Sequence, residues 1–468
     1  MRKKKKYPVL EQVRIEKAVA GGKCLAHIGE TVLFVEGNVA PEDVIDVQVI
    51  RKKKSYWVGQ PVQYKHFSPL RQKPFCEHFG VCGGCKWQHL QYEAQLSMKQ
   101  NEVQDALARI AKVDFPNIQP IIGADKTTYY RNKLEFTFSN NRWLTQAEID
   151  SDATFEREAL GFHIPGRFDK IVDITHCHLQ SAPSNEIRLA VKAFALKENL
   201  SFFDLRQQEN LLRNLVVRTT STGELMVIVI FFEPDMQAVE KLMAFLQTSF
   251  FEITSLYYIV NPKKNDAYQD LTPVLYAGKP YITESMEDLQ FRISPKAFYQ
   301  TNSEQAYELY KIVRTYATLQ GKELVYDLYT GTGSIANFIA RKAKQVIGIE
   351  YIEAAIKDAQ QNAAINGIDN TLFFAGDMKD VLNTSFLDKH GKPDVIITDP
   401  PRAGMHEAVI NTILVADPAK IVYVSCNPAT QARDLQLLDH RYQIVAVQPV
   451  DMFPHTHHVE NVVQLIRR

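Results

Sequence analysis

From residue 323 onward, short apolar segments alternate with amphipathic ones, and this alternation restricts the possible folds more than any other feature of the sequence. The apolar segments have the length and β-branched content of buried strands, and the segments between them have helical periodicity. Such a pattern is typical of a parallel sheet with crossover helices. The sequence therefore predicts an α/β domain with strands at 323–328, 345–350, 371–374, 394–398 and 420–425 and helices at 334–344, 352–366 and 407–416.

The rest of the 468-residue chain is long enough for further domains, since a compact core of ordinary size suggests about two to four domains in total. Short β segments separated by turn signals, at 12–15, 31–36, 44–51 and 57–64, predict a small N-terminal β-barrel. An amphipathic helix is predicted over 90–113. A mixed α+β region follows, with buried strands at 214–218 and 225–232. We therefore expect three domains, at 1–67, 68–280 and 281–468.

Composition excludes several classes of protein. Hydrophobic residues make up 45% and charged residues 23%, as in folded water-soluble proteins. The longest apolar stretch, 225–232, is far shorter than the ~20 residues that span a bilayer, and the basic start leads into no hydrophobic signal region. We therefore expect a cytoplasmic protein with no membrane association, and nothing in the sequence implies a protein partner.

The formal net charge is zero, but the basic residues are unevenly distributed. The first 92 residues hold 16 Lys and Arg against 8 Asp and Glu, mainly because of two basic clusters at 2–6 and 51–54. Such clusters neutralise nucleic-acid phosphates, although each alone is more often a solvated tail or hairpin tip. The second cluster, Arg51, Lys52, Lys53 and Lys54, is the predicted RNA-binding set. Tyr56 and Trp57 beside it would either stack on bases or pack into the core.

Three of the six cysteines, Cys76, Cys82 and Cys85, lie close together around a Gly-Gly pair that allows a tight turn. Cys177 is the best candidate for a fourth ligand, since Cys24 belongs to the predicted barrel and Cys426 lies in another motif. Four thiolates suit a [4Fe–4S] cluster or a zinc site, and the arrangement of three neighbouring ligands and a remote one favours the cluster. Zinc is the second choice because nearby histidines could replace a thiolate.

A nucleotide-type loop follows the strand at 323–328. Gly331 and Gly333 allow the chain to turn closely under a ligand, and Glu350 ends the next strand, where its carboxylate could bind both ribose hydroxyls. The same glycine spacing also fits a relaxed dinucleotide fingerprint, so a nicotinamide enzyme is an alternative. Cys426, after the strand at 420–425, argues against hydride transfer, because thiolates suit addition to an electron-poor ring carbon.

These motifs together resemble the RNA uracil-5-methyltransferases that use S-adenosylmethionine, in the branch with a TRAM domain and an iron–sulfur cluster. The resemblance covers nearly the whole chain, and the cysteine pattern is most similar to that of the 23S ribosomal RNA enzymes. It implies a Rossmann-like catalytic domain, an OB-like TRAM barrel and a central α+β domain. The motifs that carry it are Ser294–Asn302, Asp327–Gly333, Asp399–Gly404, Ser425–Pro428 and His458–Glu460.

The resemblance implies a mechanism in which Cys426 adds to C6 of uracil and Glu460 removes the C5 proton. It also implies ribosomal RNA or a ribosome precursor as the partner. Glu350 would bind the ribose of the cofactor, and Asp399 could instead orient the target base. Each residue also has an ordinary structural interpretation, as core packing or surface polarity. The complete predicted set for binding S-adenosylmethionine is Gln300, Tyr329, Ser334, Glu350, Asp377 and Asp399.

Other functions stay open from the sequence alone. Transfer RNA could be the substrate instead of ribosomal RNA. A cytosine-5 methyltransferase would share the thiol addition, but RNA enzymes of that type commonly place the nucleophile after Thr and add a Pro-Cys motif. Here Cys426 follows Ser425, and the predicted catalytic domain has no other cysteine. A non-catalytic RNA-binding assembly factor is a further alternative, against which the presence of Cys426, Glu460 and Asp399 argues.

Overall fold

The structure, a computed structural model, describes residues 7–151 and 153–468. The basic cluster at 2–6 therefore lies outside the described residues. In these two ranges, no helix combines the length and apolar character needed to cross a membrane.

The N-terminal part forms a six-stranded sheet. Its strands are β1 (Val9–Arg14), β2 (Lys17–Val19), β3 (Lys23–Ile28), β4 (Thr31–Val35), β5 (Val44–Lys52) and β6 (Tyr56–His66). Their order is β1-β5-β6-β4-β3-β2, and all neighbours are antiparallel except β4 and β6. The sequence analysis predicted no strand at β2, which has only three residues, or at β3.

A loop follows β6 and carries three of the cysteines, and it leads into helix α1 (Tyr92–Ala106). A wider helical turn over Leu107–Ala111 ends the helical segment. The predicted helix at 90–113 is thus present but shorter. Val103 and Leu107 pack on the C-terminal sheet described below, so α1 joins the two halves of the molecule.

The central part is a seven-stranded mixed sheet with the order β13-β12-β11-β10-β7-β8-β9. Its strands are β7 (Lys133–Ser139), β8 (Ala159–Ile164), β9 (Arg167–Asp173), β10 (Leu212–Thr219), β11 (Leu225–Phe231), β12 (Ser255–Val260) and β13 (Val274–Gly278). Its helices are α2 (Gln146–Ile149), α3 (Ser184–Lys197) and α4 (Met236–Ser249). The predicted buried strands correspond to β10 and β11, and every residue of β11 is buried.

A hairpin of β14 (Ile282–Met286) and β15 (Leu289–Ile293) and helix α5 (Ser303–Ala317) precede the last sheet. The strands of this sheet are β16 (Leu324–Leu328), β17 (Gln345–Glu350), β18 (Thr371–Ala375), β19 (Val395–Thr398), β20 (Lys420–Ser425), β21 (Tyr442–Val450) and β22 (Glu460–Arg467). Its helices are α6 (Ser334–Ala340), α7 (Glu353–Ile365), α8 (Met378–Val381), α9 (Thr384–His390), α10 (Glu407–Ala416) and α11 (Pro428–Leu438).

The strand order in this sheet is β18-β17-β16-β19-β20-β22-β21, parallel from β18 to β20, with β22 antiparallel to β20. Alternate residues of each strand face opposite layers: Val325 packs with α5 and α6, whereas Tyr326 packs with α10 and α11. The predicted α/β fold is confirmed, although α6 ends at Ala340 instead of residue 344. The chain reverses its direction of winding between β16 and β19, the position where open α/β sheets bind ligands.

Candidate active site

The register of the last sheet brings Cys426 and Glu460 together. Ser425 at the end of β20 pairs with Asn461 in the antiparallel strand β22. Continuing this register by one residue beyond β20 would bring Cys426 opposite Glu460, and the negative charge of Glu460 does act on the Cys426 thiol. A thiol and a carboxyl group separated by 33 residues in the sequence are therefore neighbours in the fold.

The surroundings of Cys426 contain opposing charges. Burial, together with the negative charges of Glu460 and Asp399, raises the pKa of the Cys426 thiol to about 11, whereas the guanidinium of Arg402 lowers it. The thiol also directly precedes the amino end of α11, whose Asn427 cap accepts a hydrogen bond from the Ala429 amide at 3.2 Å. The partial positive charge of that helix end favours a thiolate.

The loop that carries Arg402 is fixed to the cysteine loop. The Asn427 side chain donates to the Arg402 carbonyl at 2.9 Å, and the Thr430 hydroxyl donates to the same oxygen at 3.1 Å. The Arg402 guanidinium lies 3.0 Å from Nδ1 of His458, two residues before Glu460. Arg402 therefore touches both elements that carry the proposed chemistry. The sequence analysis named it only as part of a motif.

A cavity lies at the carboxyl ends of β16 and β19. It is lined by two acids, the buried Asp327 and the half-buried Asp399, in addition to residues from three other segments. Burial raises the pKa of Asp327 to about 7 and raises that of Asp399 as well, to which the nearby charge of Asp327 contributes. Burial and the charge of Asp399 raise the pKa of Glu460 well above its usual range. The site therefore brings several carboxyl groups close together, and a cationic ligand would stabilise their charged forms.

The turn after β16 has the backbone conformation of a ligand-binding loop. Tyr329 has a φ of 64°, which is strained for a bulky side chain and occurs mostly at functional sites. Gly333 has a φ of 72°, and a Cβ there would lie 2.8 Å from that of Ala359. Glu350 accepts a hydrogen bond from the Gly331 amide at 3.1 Å, so its carboxylate lies against this loop.

The structure gathers most of the predicted cofactor residues at one place. Gln300, Tyr329, Ser334 and Asp399 line the cavity. Asp377 does not line it: its carboxylate caps α8 and pairs with Lys379 at 2.9 Å, although its charge still acts on Tyr329.

Tyr310 and Phe298 are among the lining residues that the sequence analysis did not assign to the cofactor. Tyr310 bonds the Ser334 hydroxyl at 2.8 Å, and Phe298 is 66% exposed at the edge of the cavity. No local sequence signal marks Tyr310, because it reaches the cavity from the buried face of α5. The position of Phe298 within a motif was the available signal.

A second cavity, of about 60 Å³, is lined by all four predicted cluster ligands, Cys76, Cys82, Cys85 and Cys177. Burial raises the pKa of both Cys82 and Cys85 to about 12, and the charges of neighbouring cysteines add to the effect. Four sulfurs around one largely apolar cavity are a donor set that fits an iron–sulfur centre. In the described ranges, however, no three His, Cys, Asp or Glu side chains are arranged to hold a metal ion, so the structure gives no direct evidence for zinc or a cluster.

The segment that leads to Glu460 is held by the face of α1 that carries Tyr92, Gln95 and Lys99. Lys99 Nζ donates to Asp451 Oδ1 at 2.5 Å, and both side chains are fully buried. The Tyr92 hydroxyl donates to the other oxygen of Asp451 at 2.8 Å, and Gln95 accepts a hydrogen bond from the His455 amide at 2.8 Å. Polar contacts from a helix about 360 residues earlier therefore hold this segment in place.

The predicted RNA-binding residues lie around the tip of the hairpin formed by β5 and β6. Arg51, Lys53 and Lys54 are exposed there. The Lys52 ammonium lies 3.5 Å from the centre of the Trp57 ring, and Trp57 packs against the core of the N-terminal sheet. The structure therefore favours the packing interpretation of Trp57 over base stacking.

Comparisons with known proteins agree with this geometry. The model of the family described as tRNA (uracil-5-)-methyltransferase matches residues 274–468. A protein of Bacteroides thetaiotaomicron described as an uncharacterized RNA methyltransferase is 58% identical over 95% of this chain and 99% of its own length. A similarly described protein of Chlorobaculum tepidum is 40% identical over 96% of this chain and 93% of its own.

Among solved structures, the tRNA (uracil-54, C5)-methyltransferase of Pyrococcus abyssi in complex with S-adenosyl-L-homocysteine superposes with a TM-score of 0.73. It is 29% identical, and the match covers 97% of this chain and all of that one. The fold and the relatives together define an S-adenosylmethionine-dependent RNA methyltransferase. Within that class, the chain belongs to the RNA uracil-5-methyltransferase family.

Proposed function

We propose that this protein methylates C5 of a specific uridine in structured RNA, with Cys426 as nucleophile and Glu460 as base. The observation that supports the proposal is the β20–β22 register, whose continuation by one residue brings Cys426 opposite Glu460, together with the charge of Asp399 that acts on both residues. Uracil C5 is too weak a nucleophile to take a methyl group directly, and addition of a thiolate at C6 makes it nucleophilic.

The Cys426 thiolate forms a bond to C6, and the π electrons of the C5–C6 bond pass into the O4 carbonyl to give an enolate. S-adenosylmethionine, when bound, would supply the methyl group, and the C5–methyl bond would form as the bond between the sulfonium sulfur and that methyl group breaks. Glu460 removes the C5 proton, the C5–C6 double bond re-forms, and the C6–sulfur bond breaks to return the Cys426 thiolate.

Arg402 has the position needed to support the first step. Its charge lowers the pKa of Cys426 against the burial and the two acids that raise it. The amino end of α11 acts in the same direction.

For the cofactor, we propose that Glu350 binds the ribose hydroxyls while Gln300, Tyr329, Ser334 and Asp399 contact the rest of the molecule. Asp377 would contact the adenine from the outer end of the loop. The support is that four of these six residues line one cavity and that Glu350 is bonded to its glycine loop.

Glu350→Ala is expected to weaken binding of S-adenosylmethionine about 10- to 100-fold, since hydrogen bonds to a charged group contribute about 1.5–3 kcal/mol. Isothermal titration of the cofactor into each variant measures this. Glu353→Gln is the matched control, because Glu353 is an exposed acid three residues further on that pairs only with Lys357. Equal affinities for the wild type and Glu350→Ala would contradict the assignment.

We further propose a [4Fe–4S] cluster held by Cys76, Cys82, Cys85 and Cys177, with a structural role. The support is that the four thiols line one cavity between the N-terminal loop and the central sheet. When bound, the cluster would cross-link these two regions; the methylation itself requires no radical or redox step.

For the substrate, we propose 23S ribosomal RNA, with the N-terminal sheet acting as a TRAM-type barrel. Its tip, with Arg51, Lys53 and Lys54 exposed and Lys52 half-buried, would contact phosphates and offset the few kcal/mol needed to extrude the target base. The similarity to the Pyrococcus abyssi enzyme, whose name specifies transfer RNA, supports transfer RNA as the second candidate.

The test is covalent trapping with RNA in which uridine is replaced by 5-fluorouridine. The fluorine cannot leave as a proton, so a wild-type protein supplied with cofactor should form a stable protein–RNA adduct, detected as a slower band in a denaturing gel. Cys426→Ala should form none. Ribosomal and transfer RNA transcripts are assayed separately, and the transcript that forms the adduct identifies the substrate. Wild-type protein that methylates natural RNA but gives no adduct would refute the thiol mechanism.

A further inference from the structure

Arg188 is a fully buried cation next to the four-cysteine cavity. It lies on α3 with a relative exposure of 0%. Its guanidinium donates to the Thr175 carbonyl at 3.0 Å and to the Leu160 carbonyl at 3.4 Å, while its Nε has no partner among the described residues. Asp173, the acid whose charge acts on it, is already bound by Lys192 at 2.7 Å.

The same face of α3 contacts Cys177, the predicted fourth ligand of the cluster. The Asn185 side chain accepts a hydrogen bond from the Cys177 amide at 2.8 Å and donates to the Cys177 carbonyl at 3.1 Å. Residues three apart on a helix lie side by side, so Asn185 and Arg188 both bind the loop from Thr175 to Cys177 through hydrogen bonds. The carbonyl that Arg188 binds at 3.0 Å belongs to Thr175, two residues before Cys177, so the guanidinium is held close to the predicted ligand. Burial lowers the pKa of Arg188 to about 10.

Burying a cation away from water is unfavourable unless an anion or a full set of acceptors compensates it. Arg213, another buried arginine of the central sheet, has its acceptors: one of its nitrogens donates to the carbonyls of Asn261 and Lys263 at 2.8 and 2.6 Å. The hydrogen bonds of Arg188, at 3.0 and 3.4 Å, are longer than those of Arg213, and the four-cysteine cavity lies beside Arg188. An anion in that cavity would supply the missing compensation.

We propose that Arg188 is the buried counter-cation of an anionic iron–sulfur cluster held by the four cysteines. This inference rests on the proposed cluster. A fixed positive charge stabilises the more negative, reduced state of such a cluster and so raises its reduction potential. It also offsets the repulsion among four thiolates in an apolar cavity. Arg131 lines the same cavity, but it also donates a hydrogen bond to Thr301 of the Ser294–Asn302 motif. A substitution of Arg131 would therefore not test the cluster alone.

The experiment is an anaerobic redox titration of the reconstituted full chain, with sodium dithionite as the electron donor and electron paramagnetic resonance as the readout. In Arg188→Met, the ratio of reduced to oxidised cluster at a fixed potential should fall at least tenfold, which is about 59 mV for a one-electron couple. Arg188→Lys keeps the charge and should retain most of the wild-type ratio. Arg213→Met controls for loss of a buried arginine and should leave the ratio unchanged.

The outcomes separate this inference from the proposed cluster. Wild-type protein that takes up no iron and sulfide refutes both. Wild-type protein that carries a cluster, together with an Arg188→Met variant of the same potential, refutes only the role of Arg188. If Arg188→Met fails to retain a cluster, the iron contents of Arg188→Met and Arg188→Lys are compared. Iron retained in Arg188→Lys supports the role of the positive charge, and equal loss of iron in both variants refutes it.

Discussion

Glu460→Gln is expected to stop turnover at the stage of the covalent intermediate. The amide keeps the shape of the side chain but cannot accept the C5 proton, so the methylated adduct on Cys426 cannot break down. Removal of a positioned base typically costs about 10²–10⁴-fold in rate. Unlike the wild type, the variant should accumulate a protein–RNA adduct with natural uridine, carrying one methyl group from labelled cofactor.

The pH dependence of covalent adduct formation gives an independent test of the roles of Cys426 and Glu460. The negative charge of Glu460 is one of the causes that raise the pKa of Cys426. Replacing that charge by a neutral amide stabilises the thiolate. With RNA that contains 5-fluorouridine, adduct formation in Glu460→Gln should therefore begin at lower pH than in the wild type. Asp46→Asn, which removes an acid of the N-terminal sheet that pairs with Lys65, is the control and should leave the pH profile unchanged. A Glu460→Gln variant with wild-type turnover would assign the base to another residue.

The parallel part of the catalytic sheet could be predicted because its signals are local. β17 and β20 begin and end at the predicted residues, since each is a continuous apolar segment bounded by polar residues. The loop after β16 was recognisable because its backbone requires glycine at 333. Strand ends in such a sheet converge, so the proximity of Asp399 to the glycine loop also followed from the sequence.

The pairing of Cys426 with Glu460 could be proposed only from resemblance. It depends on β22 lying between β20 and β21, an antiparallel arrangement that no local pattern specifies. Tyr310 was missed for a similar reason, since only the packing of α5 against α6 brings its hydroxyl to Ser334. The contacts that complete the site are long-range.

Buried charges were the least predictable feature. A lysine or arginine in a sequence is ordinarily interpreted as exposed, because these residues are rarely buried without a partner. Lys99 lies within the predicted amphipathic helix at 90–113, for which no buried charge was expected, yet it is fully buried against Asp451. Its partner lies 352 residues away, beyond the range of any periodicity argument.

This ion pair predicts a large loss of stability in Lys99→Met. The substitution leaves Asp451 buried without its cation, and breaking a buried pair from one side typically costs about 3–5 kcal/mol. The denaturant midpoint, followed by fluorescence, should therefore fall clearly. Because Asp451 begins the segment that leads to Glu460, the methylation rate of the folded variant should fall as well.

Two controls decide whether the buried charge is the cause. Adding Asp451→Asn to Lys99→Met removes the uncompensated charge and should recover most of the lost stability. Lys17→Met breaks a half-exposed pair between β2 and Asp105 on the same helix α1, for which about 0–1 kcal/mol is expected. Equal losses in Lys99→Met and in the double variant would show that lost packing, not the unpaired acid, is responsible. Equal losses in Lys99→Met and Lys17→Met would show that burial of the pair adds nothing to the stability of the segment before Glu460.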